Sequence, residues 1–156
     1  MCHAFSEPTV VEGDKGVSVA NEALSESIKR IIARAKEGGL DAGYNGYREL
    51  FASPTFAGYR VEDQRQALRL MVFMKGTPQP PTPAMKDAHS AALGLLTAIV
   101  SAHAEPADHE LLGICHVVLG DETSAGAVFR AGLAIERERS PQSKLCGALM
   151  KRVSMV

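Results

Sequence analysis

Residues 106–137, PADHELLGICHVVLGDETSAGAVFRAGLAIER, decide the fold. Pro106 has no amide hydrogen and so suits the first turn of a helix, where that donor would have no intrahelical acceptor. Apolar residues run from Leu111 to Leu119, and Gly120-Asp121 then offers the chain a turn. Beyond it, Ala125, Phe129 and Leu133 recur every fourth residue and share one helical face. The small residues Gly113 and Ala125 let two backbones approach, while Leu112, Phe129 and Leu133 fill the layer between them. The stretch therefore reads as two tightly packed antiparallel helices. A large residue at Ala125 is expected to unfold the pair.

Upstream, residues 84–103 form a helix in which Ala91, Leu95, Ala98 and Ile99 lie near one period before Ala125, Phe129, Gly132 and Leu133. The second-helix pattern thus occurs twice. Before it, Thr77-Pro78-Gln79-Pro80-Pro81-Thr82-Pro83 cannot be helical at its centre and is expected to be an extended, stiff connection. Its two overlapping Pro-x-x-Pro spacings would also fit an SH3-type groove, but a rigid connector is the plainer reading. The segment Val61 to Lys75 is apolar on nearly all sides from Leu68 through Met74, which predicts a central helix covered by neighbours. A shorter helix is expected from Asp41 to Ala52, ending before Pro54. Gly43 and Gly46 weaken it and suggest close helix contact. From Asn21 onward, Leu24, Ile28, Ile31, Ile32 and Ala35 follow helical spacing until Gly38-Gly39 closes the turn. Downstream, Ser140-Pro141 starts a last helix over residues 142–153.

The remaining residues, 1–20, mix Gly, Pro, Ser and charge without periodicity and read as a disordered tail. They have neither the basic start nor the apolar core of a signal peptide. No run reaches membrane-spanning length. The net charge of −1 gives no general attraction to nucleic acid or to membranes. Three cysteines, Cys2, Cys115 and Cys146, are widely spaced and odd in number, so a reducing cytoplasm suits them better than a disulfide framework. Charge is uneven along the chain: residues 84–122 carry a net of −5 and residues 126–156 a net of +4. That asymmetry could steer a charged partner, although a solvated surface is the commoner meaning.

Seven helices and no strand make the chain all-α, with residues 21–156 as one helical domain. Leu112-Gly113, the turn glycine Gly120, and Ala125 with Phe129 four residues later resemble one tetratricopeptide repeat (TPR), whose period is about 34 residues. The pairs 24–53 and 61–103 match less well: the first only with a one-residue slip, the second with an insertion in its turn. Within the matching pair His109 and His116 stand at aromatic positions, and Arg137 stands where the family closes with proline. The resemblance implies antiparallel hairpins stacked as a short right-handed superhelix, with the last helix as a C-terminal cap. In that family the first helix of each pair lines the concave groove. Carried over, this implies that Asp63, Gln66, Leu70, Phe73 and Met74 face a partner from the second pair. Ala107, Glu110, Ile114, Val117 and Val118 do so from the third, and Glu26, Lys29, Ala33 and Lys36 from the first. The family's carboxylate clamps of Lys and Asn are missing from the second and third pairs. The apolar stripe Leu70, Phe73, Met74 equally fits a buried core, and the sequence leaves both readings open.

Little in the sequence suggests chemistry. His109 and His116 share a helix face about two turns apart, too far for one zinc ion without outside ligands. No Gly-x-Ser-x-Gly, His-Glu-x-x-His or phosphate-loop motif occurs. The sequence therefore points to a non-enzymatic adaptor or chaperone, with no cofactor and no metal, that binds another protein or peptide segment. The rivals are a homo-oligomeric assembly subunit using the same surface, and a small-ligand-binding or catalytic helical bundle.

Overall fold

The computed structural model of the protein describes residues 6–156, with side-chain surroundings from Glu22 onward. Of the tail expected over residues 1–20, residues 1–5 lie outside the described residues and the backbone of residues 6–20 belongs to the first helix. Among the described residues the chain forms seven α-helices and no strand: α1 (Ser6–Gly38), α2 (Leu40–Ala52), α3 (Val61–Val72), α4 (Pro83–His103), α5 (Pro106–Val118), α6 (Glu122–Arg139) and α7 (Lys144–Met155). A single 3-10 turn, Phe56–Gly58, links α2 to α3.

The deciding stretch forms α5 and α6, the most intimate helix pair in the molecule. A Cβ placed on Gly113 would lie 2.2 Å from Cε1 of Phe129, so the phenyl ring occupies the space a side chain would need. Gly132 meets the Cβ of His109 at 2.6 Å in the same way, a second close crossing on which the sequence reading did not draw. Gly120, at φ +87°, reverses the chain, and the Asp121 carboxylate accepts from the amide of Ser124 at 3.0 Å to cap α6. Contact of α1 with α2 follows the same logic: Cβ atoms on Gly43 and Gly46 would each approach within 2.9 Å of Ala35 or Ile31. Those two glycines cost helix propensity because they are needed for approach.

The second expected hairpin, residues 61–103, is not a close pair. Helix α4 runs along α2 and α5 and touches α3 only lightly. Its start is fixed beside α2 by Thr82, whose hydroxyl donates to Asp41 at 2.7 Å while the same oxygen accepts from the Met85 amide at 3.2 Å. The proline run is thus a spacer that carries the chain away from α3. Helix α3 is also shorter than its apolar run suggested, since Phe73 leaves the helix as its C-cap. It is not covered all round: Leu68, Met71 and Val72 are buried, but Leu70 and Phe73 are exposed.

One large core joins α1 through α5, and a smaller one of Ala125, Phe129, Leu133, Cys146 and Leu149 joins α6 to α7, with Ile114 packing on both. Phe56 of the 3-10 turn is fully buried in the large core, edge-on to Phe51 at 5.2 Å and to Tyr59 at 6.0 Å. Gln64 holds that turn by donating to the carbonyls of Ala57 and Tyr59 at 3.1 and 2.8 Å.

His89 of α4 is also fully buried, 2.8 Å through Nδ1 from the Met85 carbonyl; a carbonyl only accepts, so Nδ1 carries the proton. Its Nε2 and the hydroxyl of nearby Tyr44 are buried with no hydrogen-bond partner among the described residues. Burial pushes the His89 pKa below its ordinary value, against a smaller upward effect of the Met85 carbonyl. As pH falls through about 6.5, the unfolded chain takes a proton at this position that the folded chain refuses. Stability present at neutral pH is therefore lost on acidification, at no more than about 1.4 kcal/mol per pH unit from this one group. Urea unfolding at pH 7.5, 6.5 and 5.5 checks it: His89→Leu is expected to flatten the decline, and an unchanged slope would refute the assignment.

Candidate functional site

A furrow opens where α1 and α3 diverge. The slip in α1's apolar spacing creates it: Ile31 and Ile32 are consecutive, so they point about 100° apart and serve two different neighbours. Ile31 is buried against α2, whereas Ile32 is 43% exposed. On the facing wall, Leu70 is 42% and Phe73 38% exposed, and Met74 is half-buried. The wider part of the furrow, about 540 Å³, is floored by Tyr47, Gly43 and Leu40 of α2 and rimmed by Lys36 and Lys75. The narrower part, about 310 Å³, continues from Leu70 past Gln66 and Ile28 to Leu24. Leu70 lines both parts, so they adjoin along α1 and the end of α3. Arg69 lies over the outer face of Phe73, its guanidinium carbon 5.0 Å from the ring centroid.

The residues that the repeat pattern placed in one groove separate into three settings. Gln66, Leu70, Phe73 and Met74 line the α1–α3 furrow. Ile114 and Val117 lie elsewhere, in a small notch of about 120 Å³ closed by Met155 and Val156 of the last turn. Glu110 is buried, and its carboxylate accepts from Arg152 Nε at 2.8 Å. A partner would meet Glu110 only after that pair opened. From α1, Lys29 and Lys36 do line the furrow, but Ser25, Ile28, Ile32 and Ala35 take the places given to Glu26 and Ala33. The consecutive isoleucines were the signal that could have corrected the register.

Electrostatics inside the bundle converge on α5. Its N-cap and two acidic residues within it meet arginines from three different helices: Glu105 with Arg139 of α6 at 2.9 Å, Glu110 with Arg152 of α7, and Asp108 with Arg65 of α3. In the last pair Arg65 Nε donates to both Asp108 oxygens at 3.1 and 3.0 Å, while Nη2 lies 2.9 Å from Oδ2 without hydrogen-bond geometry. Two basic residues of 126–156, Arg139 and Arg152, are thus paired with acids of 84–122 within the fold. Arg152 reaches from α7 to Glu110 and also lies 6.0 Å from the Phe129 ring centroid.

His109 and Cys115, two groups able to do chemistry, are buried. His109 donates from Nδ1 to the Glu105 carbonyl at 2.8 Å and packs under Gly132. Cys115 is fully buried, and desolvation pushes its pKa up to about 12, so it is a thiol rather than a thiolate at neutral pH. Among the described residues no group of three or more His, Cys, Asp or Glu side chains could hold a metal ion, and no helix is long and apolar enough to cross a membrane. Compared with protein-family models, with curated proteins and with solved structures, the chain matches none.

Proposed function

We propose that this protein is a non-enzymatic scaffold, TPR-like in its α5–α6 pair, that holds a segment of another protein in the α1–α3 furrow. One observation carries the reading: Ile32, Leu70 and Phe73, three large apolar side chains on two helices, are exposed together along a single open channel. Exposed apolar residues scattered singly need no explanation, but a contiguous set along a concavity marks a surface awaiting contact. The channel's apolar lining and open shape favour a polypeptide over a small polar metabolite, which would need an enclosed pocket with convergent polar groups. Affinity would come from burying these side chains on helices already in place, with little ordering cost on this side.

Leu70→Ser/Phe73→Ser tests it. Both side chains are already partly in water, so thermal melting is expected to shift by only a few degrees, while capture of any bound polypeptide from the native source falls about tenfold or more. Capture that survives both substitutions would refute the furrow as the site. Self-assembly through the same surface makes a different prediction, namely a dimer in sedimentation velocity that the double substitution converts to monomer.

A further inference from the structure

The furrow is apolar along its floor and cationic along its rim. Lys29, Lys36 and Lys75 stand on its edges, and Arg69 adds a fourth positive charge beside Phe73. Asp63 is the only carboxylate among its lining residues; it is buried and faces Arg60 at 3.8 Å. Lys29 is shared with Glu26 at 3.6 Å, but Lys36 and Lys75 have no ion-pair partner among the described residues. Two lysines at the wide end are thus left without a carboxylate within ion-pair distance among the described residues.

Shape limits what can lie there. From Leu24 to Lys36 the α1 wall is about 18 Å long at the helical rise per residue, the length of some three helical turns. The α1 wall repeats with helical periodicity through Leu24, Ile28, Ile32 and Ala35, and it faces Leu70 near the end of α3 with Phe73 and Met74 just beyond that helix. A helix laid between them can interdigitate residues at i, i+3 or i+4, and i+7 with the α1 row. A flat bilayer surface would not reach a recessed floor. A sugar-phosphate backbone would match the lysines but leave the apolar floor uncovered.

Resting on the scaffold reading above, we propose that the furrow's occupant is an acidic amphipathic helix of another protein: an apolar stripe of about three turns, flanked by Asp or Glu that meet Lys36 and Lys75. The apolar stripe supplies affinity and the lysines supply choice, since a basic helix of the same shape would bring like charges together.

A display library of random 14-residue peptides, selected on the full-length protein, is the test. Enriched peptides are expected to carry apolar residues at i, i+3 or i+4, and i+7 with an excess of acidic neighbours, and to lose binding in Leu70→Ser/Phe73→Ser. The second variant, Lys36→Glu/Lys75→Glu, changes only exposed charges and keeps the test valid if the first folds poorly. It is expected to weaken an enriched acidic peptide about tenfold at low salt, with the difference shrinking as ionic strength rises. Periodic peptides that depend on Leu70 and Phe73 but show no acidic excess would overturn the acidic partner and leave the scaffold standing. No furrow-dependent enrichment at all would overturn both. Sedimentation with phosphatidylserine vesicles that requires Phe73 and Lys36 would assign the surface to a membrane instead, and a furrow-dependent dimer would assign it to a second copy; either result refutes the proposal.

Discussion

Gly113→Val lowers the unfolding free energy by about 3 kcal/mol, at the upper end of what overpacking a core costs. The added side chain has nowhere to go: even a single Cβ would stand 2.2 Å from one atom of the Phe129 ring and 2.6 Å from two others. The ring cannot retreat, because it is fully buried among α6 and α7 side chains and beneath Arg152. Urea denaturation measures the loss, and a decrease under about 1 kcal/mol would show that the pair is slack. Phe129→Ala alone costs about 3–5 kcal/mol by leaving a cavity. Combined with Gly113→Val, it is expected to cost less than the two single losses added, because each change fills or vacates the same space. Gly94→Ala is the control of opposite sign. Gly94 sits on the exposed face of α4 with nothing within 4 Å of its notional Cβ, so alanine there gains about 0.5–1 kcal/mol from helix propensity alone.

The second large effect is at Asp108. Asp108→Ala is expected to remove about 3 kcal/mol, the lower end of the range for breaking a buried ion pair from one side. The lower end applies because the Arg65 side chain is 28% exposed and can turn its charge toward water, whereas that of Asp108 is only 3% exposed. The loss lies in the stranded guanidinium and in the detachment of α3 from α5, more than in the attraction itself. Arg65→Met/Asp108→Leu is therefore expected to recover most of the stability, to within about 1 kcal/mol of the native protein. If the double variant is as unstable as the single one, the pair does more than fill space and satisfy charge. Proteolysis at α3 would report its release directly.

Local structure was largely legible in the sequence, because it depends on residues close along the chain. Pro106, Gly120-Asp121 and Gly38-Gly39 mark helix ends where the chain does turn, and the small residues Gly43, Gly46 and Gly113 lie at real crossings. The 3-10 turn was missed because Pro54, Gly58 and the short spacing between them look like any loop; only the buried Phe56 distinguishes it. The position of α4 was not legible either. Its periodicity reveals which face is apolar but not which neighbour covers it, and the ten-residue linker Phe73 to Thr82 frees it from the helix it follows. The ion pairs on α5 join positions 34 to 43 residues apart and leave no local signature. For the furrow, the α3 wall could be read from its apolar run. On the α1 wall Lys29 and Lys36 do line the furrow while Glu26 and Ala33 miss it by one residue, about 100° of helix rotation, and the α5 positions belong to a different surface.

Helix α5 reaches both backward and forward along the chain, to Arg65 before it and to Arg139 and Arg152 after it. In a linear array each unit answers only to the next, so the ends can fray while the middle holds. Here the helix that closes the early bundle is also the one onto which the last helices fasten. Loss of either end withdraws a counter-charge from the same central element, so α3, α6 and α7 are expected to loosen together. The α3 wall of the furrow is thereby held through Arg65 to α5, whether or not anything lies in the furrow.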